Sequence, residues 1–137
     1  MAQKQTHAQT LGSEPGPNGL LFVLFIPSKT DKGKDLPRGE DQKQWADAAG
    51  DMLTDQFGGS TEMPAAKGKW KNDDGEIITE PVILVHSYAQ QSHVEDDAKM
   101  EELAKFLHRM GKRTQQGEIV VVIDNIMHRI RKFPKAQ

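Results

Sequence analysis

The chain has no cysteine among its 137 residues, and aromatic residues make up only 6% of it. The absence of cysteine excludes a disulfide-stapled scaffold, thiol catalysis, iron–sulfur clusters and cysteine-ligated zinc. Long apolar runs are also missing. The first strong run, Leu20–Ile26, is far shorter than the ~20 residues that span a bilayer. We therefore expect a soluble, cytoplasmic protein that has no membrane segment.

The length of the chain predicts one compact domain, since domains usually contain ~100–200 residues. Hydrophobic residues amount to 36% and charged residues to 28%, which suffices for a core of modest size. Residues 1–19 are polar and rich in Gln, Gly and Pro, and we interpret them as a flexible arm because they bury little apolar area. The domain is then expected over residues 20–133, and a short tail over residues 134–137.

Hydrophobic periodicity and turn residues predict alternating strands and helices. Strands are predicted over 20–26, 60–70, 76–88 and 118–124, a short strand within 126–133, and helices over 42–57 and about 93–110. Asp41 is a good N-cap for the first helix, and Ser92 with Glu95 forms a capping-box pattern for the second. Gly58 and Gly111 are the predicted helix stops. We expect a hairpin turn at residues 71–75 and a bulge or kink near Pro81.

The order β-α-β-β-α-β predicts an α+β fold of the ferredoxin-like type, in which two helices cover one face of an antiparallel sheet. Three of the predicted strands are apolar on both sides, so the second sheet face also needs a cover. A second copy of the chain, packed sheet to sheet in a homodimer, would supply it. The alternative is that the N-terminal arm or the 126–133 segment folds across that face.

Several short motifs lie between Phe57 and Ile130. They are Phe57-Gly58-Gly59, Gly68-x-Trp70, Asp74-Gly75-x-Ile77, Glu80-Pro81-Val82, Met110-Gly111 and Thr114-x-Gln116. This part of the chain resembles a set of small uncharacterised bacterial proteins with an FGG…GxW…DGxI…E pattern. The resemblance covers just over half of the chain. It implies a ferredoxin-like α+β domain and brings no activity with it.

Glu80 and His86 are the candidate acid–base groups. Glu80 lies within an apolar strand, where a carboxylate is costly unless it is paired, and its pKa should rise if it is buried. His86 lies near the end of the same strand, and histidine titrates near neutral pH. A pocket with Trp70 and Tyr88 as ligand-binding residues would complete such a site. The histidines show no spacing typical of metal ligands, so we predict neither a metal nor a cofactor.

Charge is distributed unevenly along the chain. Residues 1–103 hold 10 basic and 18 acidic side chains, whereas residues 104–137 hold 8 basic and 2 acidic side chains. If the end of the second helix lies beside the C-terminal segment, these basic side chains form a patch for an anion or an acidic protein. The candidate ligand-binding residues of this patch are Arg109, Lys112, Arg113, Arg129 and Arg131.

Three hypotheses about function follow. The first is a homodimeric binding or regulatory module for a partner or a small ligand. The second is a small dimeric α+β-barrel-type enzyme in which Glu80 or His86 moves a proton. The third is nucleic-acid binding through the basic C-terminal quarter, although its strands lack the stacking aromatics of RNA-binding modules of this fold.

The homodimer makes the first testable prediction. Light scattering at micromolar concentration should give twice the chain mass of 15.3 kDa, because the second sheet face is too apolar to face water. A monomer mass under these conditions would remove the dimer.

Overall fold

The computed structural model describes residues 6–14 and 19–133 of the chain. Within these residues the elements, in chain order, are α1 (His7–Leu11), β1 (Leu20–Ile26), α2 (Gln42–Phe57), β2 (Thr61–Lys71), β3 (Ile77–Ala89), α3 (Gln91–Val94), α4 (Asp97–Arg113), β4 (Ile119–Ile123) and β5 (Ile126–Ile130). The predicted tail and parts of the predicted arm lie outside the described residues. Inside the arm, α1 is a short helix with no buried residue, and a capping box between Thr6 and Gln9 caps its N-terminus.

The strands form one sheet in the order β2-β3-β1-β4-β5, and all neighbouring strands are antiparallel. The predicted mixed α+β class with an antiparallel sheet is confirmed. The segment after β4 does not fold across the second sheet face, because β5 pairs with β4 at the edge of the sheet. Asp124 and Asn125 form the connecting turn with φ values of 49° and 70°, which are typical of a tight hairpin turn.

The core lies between one face of the sheet and the two long helices. Its central strand, β1, directs Phe22, Leu24 and Ile26 into this layer, and each of them is fully buried. Alternate residues of β3 and β4 join them, as the period of two in a strand requires. The helices contribute apolar residues at helical spacing, namely Trp45, Ala46, Ala49, Leu53 and Phe57 from α2 and Leu103, Phe106, Leu107 and Met110 from α4.

The first long helix has the bounds that the sequence predicts. Asp41 is its N-cap, and the carboxylate accepts a hydrogen bond from the Gln44 amide at 3.0 Å. Gly58 ends it in the left-handed conformation with a φ of 101°, which a residue with a Cβ adopts only at a cost.

The second long helix begins and ends later than predicted. Ser92 and Glu95 do not cap it, because α3 and a break precede α4, and the Asp96 side chain accepts hydrogen bonds from the first amides of α4. Gly111 does not end it, since α4 continues to Arg113. The glycine is needed there for packing, because a Cβ at this position would clash with the ring of Phe133.

The predicted bulge at Pro81 is also wrong, because the register shift lies on β2, between Met63 and Ala66. Pro64 stands in this interval and has no N–H to donate, and β2 is an edge strand, where a bulge is readily accommodated. Pro81 stays in register because its backbone faces the place where β1 has ended. Its carbonyl accepts hydrogen bonds there from Ser28 Oγ at 2.7 Å and Gln42 Nε2 at 3.1 Å.

The second sheet face is partly covered by the loop after β1 and partly open. Gly33 packs against β3, so that a Cβ on it would lie 2.9 Å from Cδ1 of Ile78. Away from this loop, Phe25, Tyr88 and Met127 are 37%, 57% and 58% exposed. No helix among the described residues is long and apolar enough to cross a bilayer.

The contact between Gly111 and Phe133 makes a prediction about stability. Replacing an interior helix glycine by alanine normally stabilises a helix by about 1 kcal/mol. Here Gly111→Ala should instead destabilise the protein by roughly 1–3 kcal/mol, because the methyl group displaces the Phe133 ring. In a Phe133→Ala background the same change should stabilise the protein. Urea unfolding of the four proteins checks this, and an equal effect of Gly111→Ala in both backgrounds would contradict it.

Candidate active site

A cavity lies on the second sheet face, where β1 ends. It has a volume of about 320 Å³, within the usual range for small-molecule sites. Most of its lining is apolar, with a few polar groups. The lining residues are Phe25, Pro27, Gly68, Lys69, Trp70, Glu80, Val82, Gln116, Glu118, Ile119, Val120 and Met127.

The cavity exists because the central strand is shorter than its neighbour. The last pair between β1 and β3 is Ile26 with Ile83, whereas β3 extends six residues further to Ile77 and remains paired with β2. On the other side, β4 pairs with β1 from Ile123 to Val121, so it is not paired beyond Leu24. The sheet therefore has a gap between β3 and β4, and Glu80 lies beside it.

Glu80 is 4% exposed, and its Oε2 atom has no hydrogen-bond partner among the described residues. The backbone N–H groups of Ser28 and Lys29 favour the ionised form of the carboxylate. Burial raises the pKa of Glu80 to about 7, against the opposing effect of these two amides and the charge of Lys29. The carboxyl group is thus poised to exchange a proton near neutral pH or to accept a cationic ligand.

The two amides are held in place by the loop that follows β1. Gln116 donates a hydrogen bond from Nε2 to the Lys29 carbonyl at 2.7 Å, and the Asp31 amide donates to the Gln115 carbonyl at 3.0 Å. Asn72, in the β2–β3 turn, donates from Nδ2 to the Asp31 carbonyl at 3.0 Å. The loop is therefore tied to both sides of the gap. This ordering matters for the site because the loop supplies backbone donors to Glu80.

The structure brings together two of the four residues of the sequence-derived pocket. Trp70 and Glu80 both line the cavity, whereas His86 and Tyr88 are not among its lining residues. Glu80 and His86 do share a sheet face, since no register shift falls on β3 between them. Six residues of extended strand nevertheless separate them by roughly 20 Å, so they do not form one proton-transfer pair.

The candidate basic residues fall into two groups on opposite faces of the sheet. Arg109, Lys112 and Arg113 are exposed on α4, and the Arg109 guanidinium lies 5.8 Å from the centre of the Phe106 ring. Phe133 brings the C-terminal segment back to α4, as the predicted patch requires. Arg129, however, pairs with Val120 on the face away from the helices, so it cannot join the α4 group.

Arg129 and Arg131 instead line a second cavity, of about 70 Å³, together with Glu118. Oε1 of Glu118 accepts hydrogen bonds from Nε of Arg129 at 2.7 Å and from Nε of Arg131 at 3.0 Å. Trp70 and Glu118 line both cavities, so the two cavities are neighbours.

Sequence reasoning missed the contributions of Ser28, Lys29 and Gln116. The first two act through backbone amides, which leave no trace in residue type. Gln116 belongs to one of the recurring motifs, but its bond to the Lys29 carbonyl spans 87 positions and follows from no local pattern. Within the described residues, no group of three His, Asp or Glu side chains could hold a metal ion.

Comparison with known proteins adds information about the fold. Neither a protein-family model nor a curated protein matches the chain. The structure of a phage SAM lyase in complex with S-methyl-5'-thioadenosine is similar, with a TM-score of 0.62 and 12% sequence identity over 88% of this chain and 95% of that chain. A phage SAM lyase in the apo state gives a TM-score of 0.61 and 10% identity over 90% and 98% of the two chains. These similarities show a shared fold.

The raised pKa of Glu80 predicts how the stability of the protein depends on pH. Between the ordinary pKa of 4.5 and the folded value of about 7, the native state retains a proton that the unfolded state has lost. The free energy of unfolding should therefore fall as pH rises through this window, by about 3 kcal/mol from this group alone.

Glu80→Gln removes the titrating group, so its free energy of unfolding should fall less than that of the wild type between about pH 5 and pH 8. Urea unfolding across this range measures the difference. Glu101→Gln, at an exposed position on α4, should follow the wild type. Parallel curves for the wild type and Glu80→Gln would show that Glu80 is not buried as described.

Proposed function

We propose that this chain is a small enzyme that binds S-adenosylmethionine in the Glu80 cavity and cleaves it, releasing S-methyl-5'-thioadenosine. The observation that carries the proposal is the buried Glu80 carboxylate: its Oε2 has no hydrogen-bond partner among the described residues, and the residue lines a largely apolar cavity. The fold shared with phage SAM lyase supports this substrate. Of the three sequence-derived hypotheses, the enzyme is thus the one we develop.

A sulfonium ion suits this site for a physical reason. It carries a positive charge but has no proton to donate, so it needs an anion and apolar surroundings rather than a set of hydrogen-bond acceptors. Glu80 supplies the anion, and the apolar lining favours a weakly hydrated cation over water. Trp70 adds an aromatic surface, which can contact a cation or stack on a purine ring.

The proposed reaction breaks the bond between sulfur and the carbon chain of the amino acid, and the electron pair of that bond goes to sulfur. The nucleoside leaves as a neutral thioether. The carbon is satisfied in one of two ways: the carboxylate of the substrate attacks it and closes a lactone, or Glu80 removes a proton from the adjacent carbon and an alkene forms. The second route uses the pKa of Glu80 near 7 directly.

The overall arrangement that we propose is ferredoxin-like, with β5 added beyond the fourth strand. The strand order β2-β3-β1-β4 supports it. The homodimer also stays a proposal, supported by exposed Phe25, Tyr88 and Met127 on the second sheet face. The cytoplasmic location and the resemblance to the FGG…GxW…DGxI…E set remain predictions.

Incubation with S-adenosylmethionine, followed by chromatography, tests the proposal. S-Methyl-5'-thioadenosine should accumulate together with either the lactone or the unsaturated amino acid. Glu80→Gln should lower kcat at least ~100-fold if Glu80 removes the proton. In the lactone route, the loss should appear mainly as weaker substrate binding. Glu101→Gln is the matched control, because it makes the same change on the exposed surface of α4.

Calorimetric titration separates the enzyme from the binding module. Binding of S-adenosylmethionine without any product would favour the module and remove the enzyme. Absence of both binding and product would overturn the proposal.

A further inference from the structure

Two arginines share one carboxylate beside the Glu80 cavity. Both Arg129 and Arg131 donate through Nε to the same oxygen, Oε1 of Glu118. The side chains of Arg129 and Arg131 are 49% and 59% exposed, and that of Glu118 is 27% exposed. Among the described residues, the Nη atoms of both guanidinium groups form no hydrogen bond with protein atoms. The cluster therefore has an excess positive charge and a set of unused donors.

The other charged groups that line this cavity bring its total charge close to neutral, so the positive excess is local to the two arginines and Glu118. Lys32 is bound to Asp74 at 2.5 Å. Lys71 on one side and Asp31 and Asp73 on the other also line the cavity. Apart from Lys32, which Asp74 neutralises, the lining has three positive and three negative side chains, and the unused donors are those of the two arginines. Arginine in particular presents its donors in a planar fork that matches a carboxylate or a phosphate.

Position links this cluster to the proposed active site. Trp70 and Glu118 line both cavities, so the arginine pair and Glu80 belong to neighbouring sites. The second cavity, of about 70 Å³, is small and suits a single charged group rather than a whole ligand. In an amino-acid sulfonium, a short carbon chain separates the cation from a carboxylate, which matches this pair of adjacent sites of opposite charge.

We propose that Arg129 and Arg131 form an anion subsite that binds the carboxylate of the substrate while its cationic centre lies beside Glu80. The inference rests on the proposed function for the identity of the substrate, and it adds two residues that determine specificity. They act by binding and orienting the substrate. Glu118 is a competing anion that keeps the two guanidinium groups together in the free protein.

The test compares two ligands that differ in one group. S-Adenosylmethionine has the carboxylate, and its decarboxylated analogue keeps the sulfonium but lacks the carboxylate. Arg131→Gln should raise the Kd for S-adenosylmethionine roughly tenfold or more and leave the Kd for the analogue nearly unchanged. Lys105→Gln removes the same charge from an exposed position on α4 and should change neither. Calorimetric titration of the full chain gives all of these values.

Glu118→Gln distinguishes the subsite from a purely structural ion cluster. It removes the competing anion and leaves both guanidinium groups free, so the Kd for S-adenosylmethionine should fall several-fold. If the cluster only fastens β4 to β5, the same change should loosen the hairpin and weaken the binding of both ligands equally. Equal weakening would overturn the proposal.

Inorganic phosphate separates failure of the subsite from failure of the proposed function. It should raise the thermal unfolding midpoint of the wild type, and Arg131→Gln should abolish this effect. If S-adenosylmethionine does not bind but phosphate stabilises in this arginine-dependent way, the subsite stands and the proposed function fails. If S-adenosylmethionine binds equally to the wild type and Arg131→Gln, the subsite fails and the proposed function stands.

Discussion

The burial of the Glu80 carboxylate in apolar surroundings is the constraint on which the site depends. An ionised carboxylate there needs compensation, and the backbone amides of Ser28 and Lys29 supply part of it. Those amides are available because β1 stops at Ile26 and the chain turns into a loop at that point. The loop is in turn fastened by Gln116 and Asn72, so the geometry at Glu80 depends on contacts from three separate parts of the chain.

The parts of the fold that could be predicted are those whose cause is local. The bounds of α2 follow from Asp41 at one end and Gly58 at the other, since each acts on the backbone beside it. The parts that could not be predicted depend on distant residues. Gly111 is the residue type that often ends a helix, yet it lies inside α4. Its missing side chain leaves the space that the Phe133 ring occupies. Pro81 needs no bulge because β1 has already ended beside it. The extra residue of the hairpin lies on β2 instead.

The candidate site shows the same division. A glutamate within an apolar strand indicates an unusual environment from the sequence alone, and Glu80 has one. Which residues join it is a matter of topology. His86 is on the same strand and the same face but too far along the strand. Glu118, from the other side of the gap, lines the Glu80 cavity, and Arg129 lines the neighbouring cavity, with which the Glu80 cavity shares Trp70. Net charge by sequence segment also misleads here, because the sheet separates Arg129 from the basic residues of α4.

The two edges of the sheet differ in a way that limits how the chain can polymerise. On β2 the bulge at Pro64 interrupts the free backbone ladder, and the positively charged Lys67, Lys69 and Lys71 follow it. Such an edge resists pairing with a foreign strand. At the opposite edge, β5 has no proline or bulge and exposes Ile126 and Met127. A strand added to this sheet would therefore pair with β5. Because the β2 edge does not accept a strand, growth into a fibre would stop once β5 is paired.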